Sequence, residues 1–117
     1  MGPLVESYRP DLILSHEDGV KEYILACEAL QSHVDAFLAE TMSCTNEALQ
    51  ALDAVSRLKP NPIPVLVSFT LDSKGHLRDG QVVTKCLETV LDRATEKQLD
   101  CKFVTEEKSL KLGEICP

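Results

Sequence analysis

The chain has 117 residues, with 44% hydrophobic and 26% charged side chains, which is the composition of a single globular domain with a modest core. Its formal net charge is -7 at pH 7, and no cluster of Lys and Arg is present, so binding to nucleic-acid phosphates or to an anionic membrane surface is excluded. No apolar run is long enough for a signal peptide or a membrane span, and we expect a cytoplasmic protein.

The first predicted element is a helix over residues 15–34, which follows an N-terminal loop without periodicity. Ser15 followed by Asp18 matches a capping box with the shorter acid, and this places the N-cap of the helix at Ser15. The buried stripe of the helix is predicted from apolar residues three and four positions apart, which are Val20, Ile24, Cys27 and Leu30.

Two short apolar runs with a helix between them come next. Residues 35–41, DAFLAET, have the nearly continuous apolar character of a strand that is covered on both faces. Residues 46–58 are predicted to form a helix with Thr45 as its cap and Glu47 in its first turn, where a negative charge is favourable. The prolines of KPNPIP end this helix, and residues 64–70, PVLVSFT, are predicted to form a second buried strand.

A turn-rich segment, LDSKGHLRDG, leads to a third amphipathic helix over residues 81–99 and to a short third strand that begins at residue 101. The chain therefore alternates helices with buried strands, which predicts a parallel sheet with right-handed crossover helices. The expected fold class is α/β, with alternating βα units that form either a doubly wound sheet or part of a (β/α)8 barrel. We expect residues 1–117 to form one such domain.

Polar side chains follow the two longer predicted strands, with Glu40 and Thr41 after the first and Ser68 and Thr70 after the second. In parallel α/β folds, ligands bind at the carboxyl ends of the strands. From its position alone, Glu40 is either a solvated acid near a helix start or a carboxylate that binds a substrate ammonium group. Ser68 and Thr70 are expected to be local turn or cap hydroxyls, with ligand contact as the alternative.

The cysteines and histidines do not form a catalytic or metal-binding pattern. The cysteines are dispersed, odd in number and without C-x-x-C spacing, which is typical of a reduced compartment: Cys27, Cys44, Cys86, Cys101 and Cys116. Cys27 and Cys86 fall on the apolar faces of predicted helices and are interpreted as core residues. The three histidines are interpreted as surface residues, so no catalytic residue and no metal ligand is assigned.

Three segments together resemble the homocysteine S-methyltransferase family. They are VESYRPDL, DAFLAETMSCTNEA and PVLVSFTLDSKGHLRDGQ, and the resemblance is strongest over residues 4–95. The second segment contains E-T-x-x-x-x-x-E-A, and the third contains S-F-x-x-x-x-x-G-x-L-x-x-G. Members of the family carry such segments, in this order, after successive strands of a barrel.

The resemblance implies a partial (β/α)8 TIM barrel and the transfer of a methyl group to the thiol of homocysteine, which gives methionine. The donor would be of the S-methylmethionine, S-adenosylmethionine or betaine type. In the family, zinc held by cysteines binds the substrate thiolate, which is the nucleophilic form. Carried over residue by residue, the resemblance makes Glu40 the carboxylate that binds the substrate's ammonium group, with Thr41, Ser68 and Thr70 lining the same site.

The zinc-binding segments of the family are absent from this sequence. Cys101 lies at the start of the third predicted strand rather than at its end, no G-G-C-C occurs, and Cys116 is isolated. A full barrel takes about 250 residues, so we expect this chain alone to bind no zinc and to be inactive in methyl transfer. The alternative is a non-catalytic α/β module that binds a partner or self-associates through the exposed edges of the DAFLAET and PVLVSFT strands.

Overall fold

The predicted order of helices and strands is confirmed. A computed structural model of the chain describes residues 1–59 and 63–104. The strands are β1 (Phe37–Met42), β2 (Val65–Phe69) and β3 (Cys101–Phe103), and the helices are α1 (His16–Leu30), α2 (Thr45–Ser56) and α3 (Val83–Glu96). The largest difference from the prediction is at the end of α1, where Gln31–His33 form a short 3-10 helix. Residues 105–117, including Cys116, lie outside the described residues.

The strands form one parallel sheet in the order β1-β2-β3, with α2 and α3 as the crossover connections. On the side of the sheet that the helices cover, the strand side chains are apolar and buried, as at Phe37, Ala39, Val65 and Val67. This arrangement confirms the α/β class and the alternating βα units. The three strands in the described part of the chain are fewer than the eight of a barrel, so the (β/α)8 architecture stays a prediction.

Helix α2 lies between α1 and α3 and packs against the sheet. It is buried on almost every side, so that even Gln50 and Asp53 are shielded from water. Buried polar side chains need partners, and Gln50 donates a hydrogen bond of 2.8 Å from Nε2 to the carbonyl of Leu14. No helix in the described part of the chain is both long and apolar enough to cross a membrane.

Helix α1 packs antiparallel to α2, because His16 contacts Asp53 while Gly19, one turn later, packs against Gln50. A Cβ atom at Gly19 would lie 2.1 Å from Gln50 Oε1, so the Gln50 side chain occupies the space that a side chain at position 19 would need. The buried residues of α1 are Gly19, Val20, Tyr23 and Cys27. The predicted stripe is wrong at Leu30, which is 45% exposed, while Val20 and Cys27 are buried as predicted.

Neither predicted side-chain cap forms. Ser15 is the N-cap of α1, but its side chain makes no capping hydrogen bond. The N-cap of α2 is Cys44, so Thr45 is the first helical residue rather than the cap. The Thr45 hydroxyl is instead hydrogen-bonded to the side chain of Gln81, from the segment between β2 and α3. At Thr45, a tertiary contact has replaced the local cap that the sequence predicted.

Candidate functional site

A bulge interrupts β1 at its carboxyl end. The parallel register pairs Ala39 with Val67 and then Met42 with Phe69, so that two residues of β1, Glu40 and Thr41, lie opposite one residue of β2. Thr41 has φ 64°, in the left-handed region that a β-branched residue rarely adopts. The bulge ends the regular ladder at the edge where the predicted site residues lie.

The predicted residues Thr41, Ser68 and Thr70 are brought together at this edge. The backbone N–H of Thr41 points to Ser68 Oγ at 3.4 Å, a long contact, and Ser68 is buried. Thr70 donates from its backbone N–H to the carbonyl of Met42 at 2.9 Å. These contacts join residues 27 and 28 positions apart in the sequence rather than residues of one turn or helix cap, and contact with a ligand stays a prediction.

Glu40 lies at the same edge with its side chain exposed. Its backbone N–H donates to the carbonyl of Met1 at 2.8 Å, while the Met1 ammonium donates to the carbonyl of Leu38 at 2.6 Å. These bonds fix the backbone on both sides of Ala39. The carboxylate itself has no ion pair within residues 1–59 and 63–104. It is therefore an exposed carboxylate on a hydrogen-bonded backbone, at the carboxyl end of a strand and without an ion pair among the described residues.

Glu47 is a structural carboxylate that the sequence analysis assigned only to a helix start. It is 3% exposed, and its Oε2 accepts hydrogen bonds from Ser43, at 2.7 Å from the backbone N–H and 2.9 Å from the hydroxyl. The bonds fold the β1–α2 turn back onto the first turn of α2. Burial and the negative charge of Glu47 both raise the pKa of Tyr23.

A comparison with protein families shows to which family the chain belongs. The family model described as homocysteine S-methyltransferase matches residues 1–105. The chain belongs to the homocysteine S-methyltransferase family. The resemblance inferred from the sequence is thereby confirmed, and the matched range contains both motifs. No curated protein and no solved structure matches the chain.

The zinc of this family does not fit the residues that the structure describes. Among them, no group of three or more His, Cys, Asp or Glu side chains could hold a metal ion. Burial raises the pKa of the Cys27, Cys86 and Cys101 thiols to about 11, because it disfavours the charged thiolate form. Cys101 also pairs with Val65, at the amino-terminal ends of β3 and β2, whereas Glu40 lies near the carboxyl end of β1.

A groove of about 580 Å³ lies beside the predicted residues rather than on them. It runs between the first half of α2, the segment before α3 and the first half of α3, and it is lined by Thr45, Asn46, Leu49, Asp79, Gly80, Gln81 and Thr89. None of the four residues that the family resemblance assigns to substrate lines this groove. Its place is nevertheless the carboxyl-end side of the sheet, where α/β folds bind ligands.

Thr41→Gly is expected to raise the free energy of unfolding by about 0.5–1 kcal/mol, because glycine adopts positive φ without the cost that a side chain incurs there. Urea unfolding followed by circular dichroism measures this change. Thr70→Gly, at a neighbouring position without positive φ, is the control and should lower stability. A Thr41→Gly variant destabilised as much as this control would show that the bulge is not strained.

Proposed function

We propose that this chain contributes the homocysteine-binding side of a methyl transfer to the homocysteine thiol, with Glu40 binding the substrate ammonium group. The observation that carries the proposal is the exposed Glu40 carboxylate, unpaired within the described residues, at the carboxyl end of β1. A hydrogen bond between an ammonium group and a carboxylate is charge-assisted and typically stronger than a neutral one. Thr41, Ser68 and Thr70 border the same position and are proposed to line the site.

The proposed reaction has two parts, the binding of homocysteine and the activation of its thiol. We assign the first part to this chain, while its described residues hold no metal site for the second. The methyl group would pass from a sulfonium or quaternary ammonium donor, of the S-methylmethionine, S-adenosylmethionine or betaine type, to the homocysteine sulfur. The sulfur reacts as the thiolate. Since no group of three or more His, Cys, Asp or Glu among the described residues could hold a metal ion, we propose that this chain on its own binds homocysteine but transfers no methyl group without a metal-binding segment.

Glu40→Gln is expected to weaken homocysteine binding by about tenfold or more, because a hydrogen bond to a charged group contributes about 1.5–3 kcal/mol. Isothermal titration calorimetry with homocysteine measures the affinity of both proteins. Glu88→Gln removes an exposed acid on α3, far along the chain from the site, and should leave the affinity unchanged. Equal affinities of the Glu40→Gln variant and the unmodified chain would refute the assignment of Glu40.

A second candidate function is association with other chains through strand edges. The predicted role of the PVLVSFT edge is wrong, because β2 pairs with β1 on one side and with β3 on the other. At β1, Met1 already bonds to the backbone of Leu38 and Glu40 in the pattern of a parallel neighbour. The candidate therefore rests on the outer edge of β3, which pairs with no other strand in the described part of the chain.

A further inference from the structure

The bulge of β1 leaves two hydrogen-bond donors beside Glu40 without a close acceptor. The backbone N–H of Thr41 points to Ser68 Oγ instead of a carbonyl of β2, and the distance of 3.4 Å exceeds that of an ordinary hydrogen bond. The Ser68 hydroxyl accepts this contact, but its own proton has no acceptor within residues 1–59 and 63–104. Ser68 is 7% exposed, and buried polar groups usually have a hydrogen-bond partner. Both donors are therefore available to a ligand.

These donors lie next to the Glu40 carboxylate. Ala39 and Val67 are paired core residues, and side chains alternate between the two faces of a strand, so Glu40 and Ser68 share the other face. Neighbouring strands are about 5 Å apart, and the N–H of Thr41 belongs to the peptide group that joins it to Glu40. This placement follows from the register of β1 and β2 and does not depend on what covers the face.

An acceptor beside two donors is complementary to a free α-amino acid. Such a molecule carries its ammonium and carboxylate groups on one carbon atom, so a site for one of them must provide for the other close by. A carboxylate accepts hydrogen bonds from hydroxyl and backbone N–H groups, and these bonds are charge-assisted. The left-handed backbone of Thr41 is costly for a β-branched residue, and such strain is common where a chain binds a ligand.

We propose that the Ser68 hydroxyl and the Thr41 N–H bind the α-carboxylate of homocysteine and so select free α-amino acids. This inference rests on the proposed function and adds the groups that recognise the second charge of the substrate. Binding gives the buried Ser68 proton an acceptor and offers the Thr41 N–H a stronger acceptor than the long neutral contact. A thiol that lacks the carboxylate leaves both donors without this acceptor and is expected to bind more weakly.

Isothermal titration calorimetry with two ligands tests the proposal: homocysteine, and its decarboxylated analogue, which keeps the ammonium and thiol groups. Ser68→Ala is expected to weaken homocysteine binding about tenfold, because one hydrogen bond to a charged group is lost, and to leave the analogue unaffected. Ser73→Ala, at an exposed serine between β2 and α3, should change neither affinity. Equal losses for the two ligands would overturn the proposal and make Ser68 a support of the bulge.

Glu40→Gln separates this inference from the proposed function. Both ligands carry the ammonium group, so this change should weaken both of them. If Glu40→Gln weakens both ligands while Ser68→Ala does not discriminate between them, the carboxylate assignment fails and the role of Glu40 stands. If Glu40→Gln changes neither affinity, or if homocysteine does not bind, the proposed function fails together with this inference.

The amide proton of Thr41 provides a second test, which needs no substitution. Its NMR resonance is expected to move downfield when homocysteine binds, because the N–H then donates to a carboxylate instead of making the 3.4 Å contact with Ser68 Oγ. The decarboxylated analogue should leave this resonance nearly unchanged. A Thr41 resonance that responds equally to saturating amounts of both ligands would overturn the assignment of the carboxylate.

Discussion

Arg93→Met is expected to lower the free energy of unfolding by about 3 kcal/mol, because it leaves the buried Asp53 carboxylate without its cation. The side chain of Asp53 is 6% exposed, and its Oδ2 lies 2.5 Å from Arg93 Nη1. His16 Nε2 lies 2.8 Å from the same oxygen, while Oδ1 has no partner within the described residues. Methionine retains much of the aliphatic stem of arginine, so the loss measures the ion pair rather than a cavity.

The Asp53 contacts also connect all three helices. Asp53 belongs to α2, His16 to the first turn of α1, and Arg93 to the last turn of α3. An unpaired carboxylate at this position would therefore weaken the packing of α1 and α3 on α2 together. We expect the transition to remain cooperative while its midpoint moves to lower urea concentration.

The loss of stability is measured by urea unfolding of the Arg93→Met variant, with the Arg57→Met variant as its control. Arg57 pairs with Glu17 at 3.2 Å, but their side chains are 45% and 61% exposed. Exposed pairs contribute about 0–1 kcal/mol because water screens both charges, so Arg57→Met should change stability little. Similar losses in the two variants would show that burial of Asp53 does not set the strength of its ion pair.

Glu47→Ala is expected to lower the free energy of unfolding by about 3 kcal/mol, because it leaves the buried N–H and O–H of Ser43 without an acceptor. Both donors bond to the same carboxylate oxygen, and Ser43 is fully buried. The variant should also weaken homocysteine binding, because the turn that follows Glu40 loses the bonds that fold it onto α2. Glu47 is thus expected to position the site without touching the ligand.

A double-mutant cycle with Ser43→Ala separates these contributions. The double variant should lose less stability than the sum of the single changes, since Ser43→Ala already removes one of the two donors. Glu47→Gln, which keeps an acceptor oxygen, should retain part of both stability and binding. Additive losses in the cycle, or full loss of binding in a stable Glu47→Gln protein, would contradict a positioning role.

The sequence was sufficient to predict those strands and helices whose hydrophobic pattern agrees with their burial in the fold. β1 and β2 are short apolar runs next to helix patterns, and such alternation predicts a parallel sheet. Because parallel strands end at the same edge, the sequence also predicted that Thr41 and Ser68 lie together. The family motif gave Glu40 its proposed role, which no local pattern could have done.

Features that depend on contacts between distant residues were not predictable. The bulge at Thr41 follows from the register of β1 against β2, which leaves two residues opposite one. His16 is exposed, as the sequence predicted, but no local pattern indicates its hydrogen bond to Asp53, which lies 37 positions away. Leu30 matched the helical period, yet it is the last residue of α1 and is 45% exposed. In each case the packing of α1, α2 and the sheet overrides the local pattern.

The central claim is that the carboxyl ends of β1 and β2 bind the ammonium end of homocysteine, and an NMR titration tests it most directly. Amide resonances of the ¹⁵N-labelled chain would be followed during addition of homocysteine and, separately, of its analogue without the amino group. We expect homocysteine to shift the amide resonances around Glu40, Thr41, Ser68 and Thr70, and the analogue to cause much weaker shifts at these residues. Shifts that are equal for the two compounds, or that occur only at the start of β3, would contradict it.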